Sequence, residues 1–202
     1  MKTHAQGALT KSEKMIHVAQ CTLSIIQVHG TEGVNHSRLA RSAGVSRAWL
    51  YKYFGSSREA LIEFAIDYFG KLFAEMEHER GLRGAREWVA ETKQGLDRML
   101  RDTARYPWLI PIYFRYKGTS SPMGRCIARL EKLYFEKHSR ELMSVFKSDR
   151  EKAYLLSQVL TSFRMGLAQA WQTGGFGTKN DPEQILEYVG QWMNAVVDAR
   201  KL

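Results

Sequence analysis

The chain has 202 residues, enough for a substantial core in one domain or in a small head on a larger body, and its 44% hydrophobic and 25% charged content excludes wholesale disorder. No apolar run approaches the roughly 18 residues that a membrane-spanning helix needs, and the opening MKTHAQGALT lacks the apolar stretch of a signal peptide, so a cytoplasmic protein with no membrane partner is expected. The net charge of +9 suggests a polyanionic partner, and it is concentrated at the front: residues 1–60 carry eight Lys and Arg against three Glu.

Apolar residues recur at steps of three and four with only four prolines, which reads as all-α with about nine helices. Thr10 and Glu13 have capping-box spacing before a first helix that places Ile16, Ala19, Leu23 and Ile26 on one face. Gly30 and Gly33 bracket a turn, a second helix fits His36 to Ala43, and Gly44 stands in the C′ position. Ser46 caps a third helix running to Phe54. Ser56 with Glu59 makes a capping box for a fourth, whose Leu61, Ala65, Phe69 and Leu72 share a face and which is expected to continue to about His78. Gly81 and Gly84 break it. Further helices are expected at 85–103, 107–116, 122–146, 149–172 and 182–201, with Pro122 after Ser121 and Pro182 after Asp181 at positions where a missing N–H costs nothing. The stretch from Gly174 to Asn180 reads as a loop.

Enzymatic chemistry finds no support in the sequence. There is no phosphate-cradling glycine loop and no nucleophile elbow, and the six histidines show no pair at metal-ligand spacing, so no catalytic residue, metal or cofactor is expected. Cys21 and Cys126 read as two buried thiols rather than a disulfide or a metal site.

Residues 35–54, NHSRLARSAGVSRAWLYKYF, carry the function. Two short helices crossing at a tight turn need a small residue at the crossing, a residue tolerant of left-handed φ in the turn, and apolar anchors in the second helix. Ala40, Gly44 and Leu50 supply these, with Leu39, Ala43, Val45 and Phe54 to fill the core beneath. That pattern alone is weak; the basic, aromatic-rich second helix and the local charge excess strengthen it.

Ala40, Gly44-Val45-Ser46, Leu50 to Phe54 and the Ser56 to Leu61 helix start resemble the TetR family of regulators over about residues 12–70. The resemblance implies an N-terminal three-helix DNA-binding helix-turn-helix head, residues 1–56, on a larger helical effector-binding and dimerisation body, residues 57–202. It implies a transcriptional regulator, a homodimeric repressor released from a pseudo-palindromic double-stranded operator by a small effector of unknown identity. The aromatic content favours an apolar or aromatic effector. The alternative keeps the head and makes the body a module that recruits a protein partner.

The residues expected to contact DNA are His36, Ser37, Ser46, Arg47, Ala48, Trp49, Tyr51, Lys52, Tyr53 and Arg58. Arg47 reads a guanine or touches a phosphate, and Ala48 contacts a thymine methyl or permits close approach. Tyr51 and Lys52 clamp phosphates. His36 and Ser37 begin the second helix, where backbone amides favour a phosphate or the residues simply cap. Two departures stand out. Trp49 replaces a small or hydroxylated residue and faces either DNA or the core; Ser57 replaces a common lysine, for which Arg58 is the substitute. In the body, Trp88, Met99, Tyr106, Trp108, Tyr113, Met123 and Phe163 are candidates for an effector pocket or for plain core. Leu167, Ala170, Ile185, Val189, Trp192 and Val196 are candidates for a four-helix dimer interface or for a monomer core. Pro107 and Pro111 bracket a kinked or short segment.

Overall fold

A computed structural model describes residues 10–75, 84–176 and 182–199, with the side chains of 73–75, 196 and 199 outside the described set. Among the described residues it holds nine α-helices, one short 3-10 turn and no strand: α1 (Lys11–His29), the turn Thr31–Gly33, α2 (His36–Ala43), α3 (Arg47–Phe54), α4 (Arg58–Glu75), α5 (Ala85–Arg105), α6 (Leu109–Tyr116), α7 (Pro122–Phe146), α8 (Arg150–Gln172) and α9 (Pro182–Ala199). The expected His78 end of α4, Gly81, the later part of the Gly174–Asn180 loop, Asp181 and the end of α9 beyond Ala199 lie outside the described residues. Two compact units result, residues 1–71 and residues 72–202.

Local chemistry fixes the helix starts of the first unit. Thr10 and Glu13 close a reciprocal capping box, and the Glu13 carboxylate titrates below the usual range because the Thr10 amide and hydroxyl both donate to it. Asn35 caps α2 by accepting from the Arg38 amide at 2.8 Å. The cap of α4 is Ser57 rather than the expected Ser56: its hydroxyl accepts from the Ala60 amide at 3.3 Å and donates to Glu59 at 2.9 Å. The core is built from Val18, Leu23 and Ile26 of α1, Leu39 of α2, Leu50 of α3, and Leu61, Ala65 and Phe69 of α4, all essentially sealed from water. Ile16, expected on that face, is exposed. Ala19, Leu23 and Ile26 are buried as expected, and the buried part of α1 begins at Val18.

In the second unit α7 packs along α8, α5 along α9 and α8, and α6 against α7 and α8. Residue size governs how α8 sits. Its buried stripe is Ala153, Ser157, Thr161, Met165 and Ala168, mostly small, so its backbone can lie close to its neighbours. The hydroxyls on that stripe are satisfied within the helix, Ser157 donating to the Tyr154 carbonyl at 2.6 Å and Thr161 to the Ser157 carbonyl at 2.7 Å. Pro122 opens α7 behind the Ser121 cap. Gly124 in its first turn packs on the preceding turn so closely that a Cβ would collide with the Thr119 and Tyr116 carbonyl oxygens. Pro111 falls in the first turn of α6, where it leaves no bond unmade, and that helix is two turns long.

Candidate nucleic-acid interface

The crossing of α2 and α3 is set by one glycine and two anchors. Gly44 adopts φ 61°, ψ 29°, a left-handed conformation that a Cβ would strain, and the Val45 amide then donates to the Ala40 carbonyl at 3.1 Å. Leu39 and Leu50 bury their side chains completely beneath the turn, and Ala40 and Ala43 are small enough to let the helices meet. Ser46 starts α3 by accepting from the Trp49 amide at 3.1 Å.

With Leu50 pinned inward, the opposite face of α3 is fixed by the helical period. Ser46, Arg47, Ala48, Tyr51 and Lys52 are all exposed, as is Ser37 on α2. The outward row pairs Arg47 with Tyr51 and Ala48 with Lys52, four residues apart. Arg47 donates to the Tyr51 hydroxyl at 3.3 Å, and its guanidinium lies 5.9 Å from the centre of that ring. The arrangement presents a cation, a methyl group, a phenol and a second cation along one side of a helix free to enter a groove.

Four of the expected contacts occupy different surroundings. His36 is buried: its Nε2–H donates to the Gly55 carbonyl at 2.9 Å, and its ring stacks on Tyr51 with centroids 4.6 Å apart and planes 17° from parallel. The imidazole therefore braces α3 from behind rather than facing solvent, while the backbone start of α2 stays at the surface beside exposed Ser37. Trp49 is half-buried against Tyr53 at 4.6 Å and Phe54 at 6.3 Å, so its indole lies between the two orientations the sequence left open. Tyr53 is half-buried under two cations, Lys11 at 4.6 Å and Lys52 at 5.6 Å from the ring centre. Arg58 is exposed but engaged with Glu59 at 3.2 Å. The Glu59 carboxylate is held below the usual carboxylate range by its own backbone amide and the Ser57 hydroxyl, so a full negative charge sits beside that guanidinium.

Lys11 is the residue that sequence reasoning missed. It stands in the first turn of α1, 42 positions ahead of Tyr53, and the fold brings its ammonium over the Tyr53 ring of α3. Its membership of the N-terminal charge excess was the available signal.

Residues 22–64, which contain all of α2 and α3, match the model of bacterial regulatory proteins of the tetR family. Over these residues the head is similar to that family. No curated protein sequence matches it. Among solved structures it is similar to a TetR-like transcriptional regulator of Rhodococcus sp. RHA1, with TM-score 0.70 and 15% identity over 95% of this chain and 99% of that one. It is also similar to a TetR transcriptional regulator of Legionella pneumophila, at 0.62 and 17% over 95% and 99%, and to a putative fatty acid metabolism regulator of Clostridium perfringens, at 0.64 and 13% over 88% and 96%. These likenesses extend the TetR fold across the body. The chain thus has the fold of these TetR regulators, and no helix among its described residues is long and apolar enough to cross a membrane.

In the helical body the candidate pocket residues do not form one group. Trp88, Met99, Tyr106, Trp108, Tyr113 and Met123 are buried. Trp88 opens α5 against Phe146, whereas Tyr106 follows the other end of α5 against Trp108, a separation of about 27 Å at 1.5 Å per residue. A single small cavity cannot be lined by both. Tyr113 is held in a polar cluster, its hydroxyl donating to Glu131 at 2.5 Å while Lys117 reaches both, at 2.8 and 2.5 Å. Phe163 is exposed and pairs with Trp192 of α9 at 5.8 Å, so it belongs to the outer face. Among the interface candidates Trp192 is exposed, Leu167, Ala170 and Ile185 are half-buried, and Val189 is already covered by its own chain beside Leu186 and Met193. The side chain of Val196 lies outside the described residues.

Proposed function

We propose that this chain is a TetR-family transcriptional regulator that binds DNA, a homodimeric repressor that holds a pseudo-palindromic operator and releases it when a small molecule binds the helical body. The observation that carries the DNA-binding half is the outward row Arg47, Ala48, Tyr51 and Lys52 on a helix whose opposite side is locked by Leu50. Such a row supplies a bidentate donor for guanine, a methyl contact for thymine and a phosphate clamp within one major groove. Two copies related by a two-fold axis would present two such helices about 34–36 Å apart, one duplex turn.

The dimer reading is supported by the distribution of large apolar residues on α8 and α9. Leu155, Val159 and Trp192 are 61%, 55% and 54% exposed, and Phe163 and Tyr188 flank them. On α8 these side chains lie opposite its small buried stripe. Large apolar side chains spaced four apart on the outer side of two adjacent helices are the composition of a helix-bundle interface rather than a solvated face.

Release by an effector requires that the ligand bind one body arrangement more tightly than the other; a 100-fold loss of operator affinity corresponds to a coupling of roughly 2.7 kcal/mol. Selection of a binding site from random duplex DNA, followed by titration at several salt concentrations, tests the reading. A two-fold symmetric consensus bound by two chains is expected. An asymmetric consensus bound by one chain would overturn the operator model, and failure of every small molecule to weaken binding would remove the release step.

A further inference from the structure

The C-terminal end of α8 carries an unmet acceptor pair. The side-chain oxygens of Gln169 and Gln172 are both sealed from solvent, and no donor among the described residues reaches either. They lie three positions apart, so they share one side of the helix, and that side continues the buried stripe through Met165 and Ala168. The orientation of Gln172 is fixed: its Nε2 donates to the Pro107 carbonyl at 2.5 Å, and exchanging oxygen and nitrogen would set two acceptors against each other. The same bond places this amide beside the segment joining α5 to α6, where buried Tyr106 and Trp108 lie 5.5 Å apart. The Gln172 acceptor therefore sits beside an aromatic pair, and the Gln169 acceptor lies one turn earlier on the same side of α8.

A buried amide oxygen without a donor is costly, and most buried polar groups in folded proteins find a partner in protein, water or ligand. We propose that Gln172, beside the Tyr106–Trp108 segment, together with Gln169 one turn earlier on α8, recognises a neutral, compact aromatic effector that carries an N–H or O–H donor. The inference rests on the reading of the body as an effector sensor and narrows it. A purely hydrocarbon ligand would leave both oxygens unmet. An anionic ligand would bring its own acceptors against them. A neutral donor satisfies Gln172 in the orientation that Pro107 dictates, and the ring packs where the aromatic pair lies. Trp88, at the far end of α5, takes no part.

Matched probes separate the donor from the ring. Full-length protein is titrated by calorimetry and thermal shift with indole and 1-methylindole, and with benzyl alcohol and benzyl methyl ether. In each pair methylation removes the donor and leaves the aromatic group. The donor-bearing member of at least one pair is expected to bind about tenfold more tightly than its methylated partner. Gln172→Met is expected to abolish that preference while the helical spectrum persists. Because Gln172→Met also loses the bond to Pro107, Gln169→Met serves as the second variant and is expected to narrow the preference without lowering the melting temperature. Equal binding by both members of each pair, no binding by any of them, or a preference that survives both substitutions would overturn the assignment. Operator affinity is read separately with the same compounds. A donor compound that binds through Gln172 but leaves the DNA complex intact would uphold the site and sink the release step alone.

Discussion

The imidazole of His36 and the phenol of Tyr51 stack face to face at 4.6 Å, and the same phenol accepts a hydrogen bond from Arg47 at 3.3 Å. A buried residue at the start of α2 thus holds an exposed residue of α3, which in turn steadies the guanidinium offered to the groove. The His36 Nε2–H bond to the Gly55 carbonyl ties the end of α3 into the same unit.

Removal of that brace has two separable consequences. His36→Ala loses a buried hydrogen bond and a ring stack, for which about 1–2 kcal/mol of stability is expected. His36→Phe keeps the stack and loses only the bond, so it should fall between. Urea unfolding followed by circular dichroism measures both. A wild-type midpoint for His36→Ala would show that the stack contributes nothing.

Arg47 and Lys52 are expected to differ in kind. Arg47→Ala should relax base preference at one position of each half-site, and an unchanged consensus after random-site selection would remove it from the readout. Lys52→Ala should weaken all sequences alike and lower the slope of log affinity against log salt by about one per subunit contact. Because Lys11 also stands over Tyr53, Lys11→Ala should lower the slope too if its ammonium reaches a phosphate.

Most of the head was legible because its determinants are local. The bounds of α2 and α3 follow from Gly44 and Ser46, whose roles depend on residues within four positions. The shift of the α4 cap from Ser56 to Ser57 is a one-residue slip between adjacent serines, each able to start a helix, and only the geometry chooses. The burial of the His36 ring was not legible because its partners, Gly55 and Tyr51, come from a different helix and the following turn. The facing of α8 was not readable from pattern. Apolar residues surround it, and which side turns inward depends on the small Ala153, Ser157 and Thr161 fitting against the neighbouring helices. For the same reason Phe163 reads as pocket lining and Val189 as interface from the sequence, whereas the packing leaves Phe163 exposed and covers Val189. Gln169 and Gln172 carry no sequence signal, since an unmet acceptor is defined only by what fails to surround it.

The phenol of Tyr113 is expected to titrate late. Burial, with the Glu131 carboxylate as acceptor for its proton, pushes its pKa from 10.0 up to about 12 against the opposing pull of Lys117. The folded value lies above the unfolded one, so the stabilisation from the protonated phenol is fully present below pH 10 and is lost as pH rises from 10 towards 12. Ultraviolet titration of tyrosinate should show one tyrosine ionising after the others, and Tyr113→Phe should remove that late step. Persistence of the late step in the variant would assign it to another tyrosine.

The outer face of α8 and α9 gives the sharpest contrast between two substitutions of neighbouring apolar residues. Trp192 is exposed in the single chain and lies against Phe163, so Trp192→Arg should leave the subunit folded while placing a charge where a second copy is expected to pack. Sedimentation should show wild-type dimers and Trp192→Arg monomers at the same concentration. With the second half-site no longer tethered, operator affinity should drop on the order of a hundredfold or more. Leu186 lies six positions earlier but is buried inside its own unit, so Leu186→Ala should instead cost about 2–4 kcal/mol of folding stability and leave the association of the remaining folded chains intact. Dimeric Trp192→Arg at wild-type strength would place the two-fold axis elsewhere on the body. The large apolar side chains of α8 would then need a different cover, because Leu155 and Val159 project from the side of that helix opposite its buried stripe.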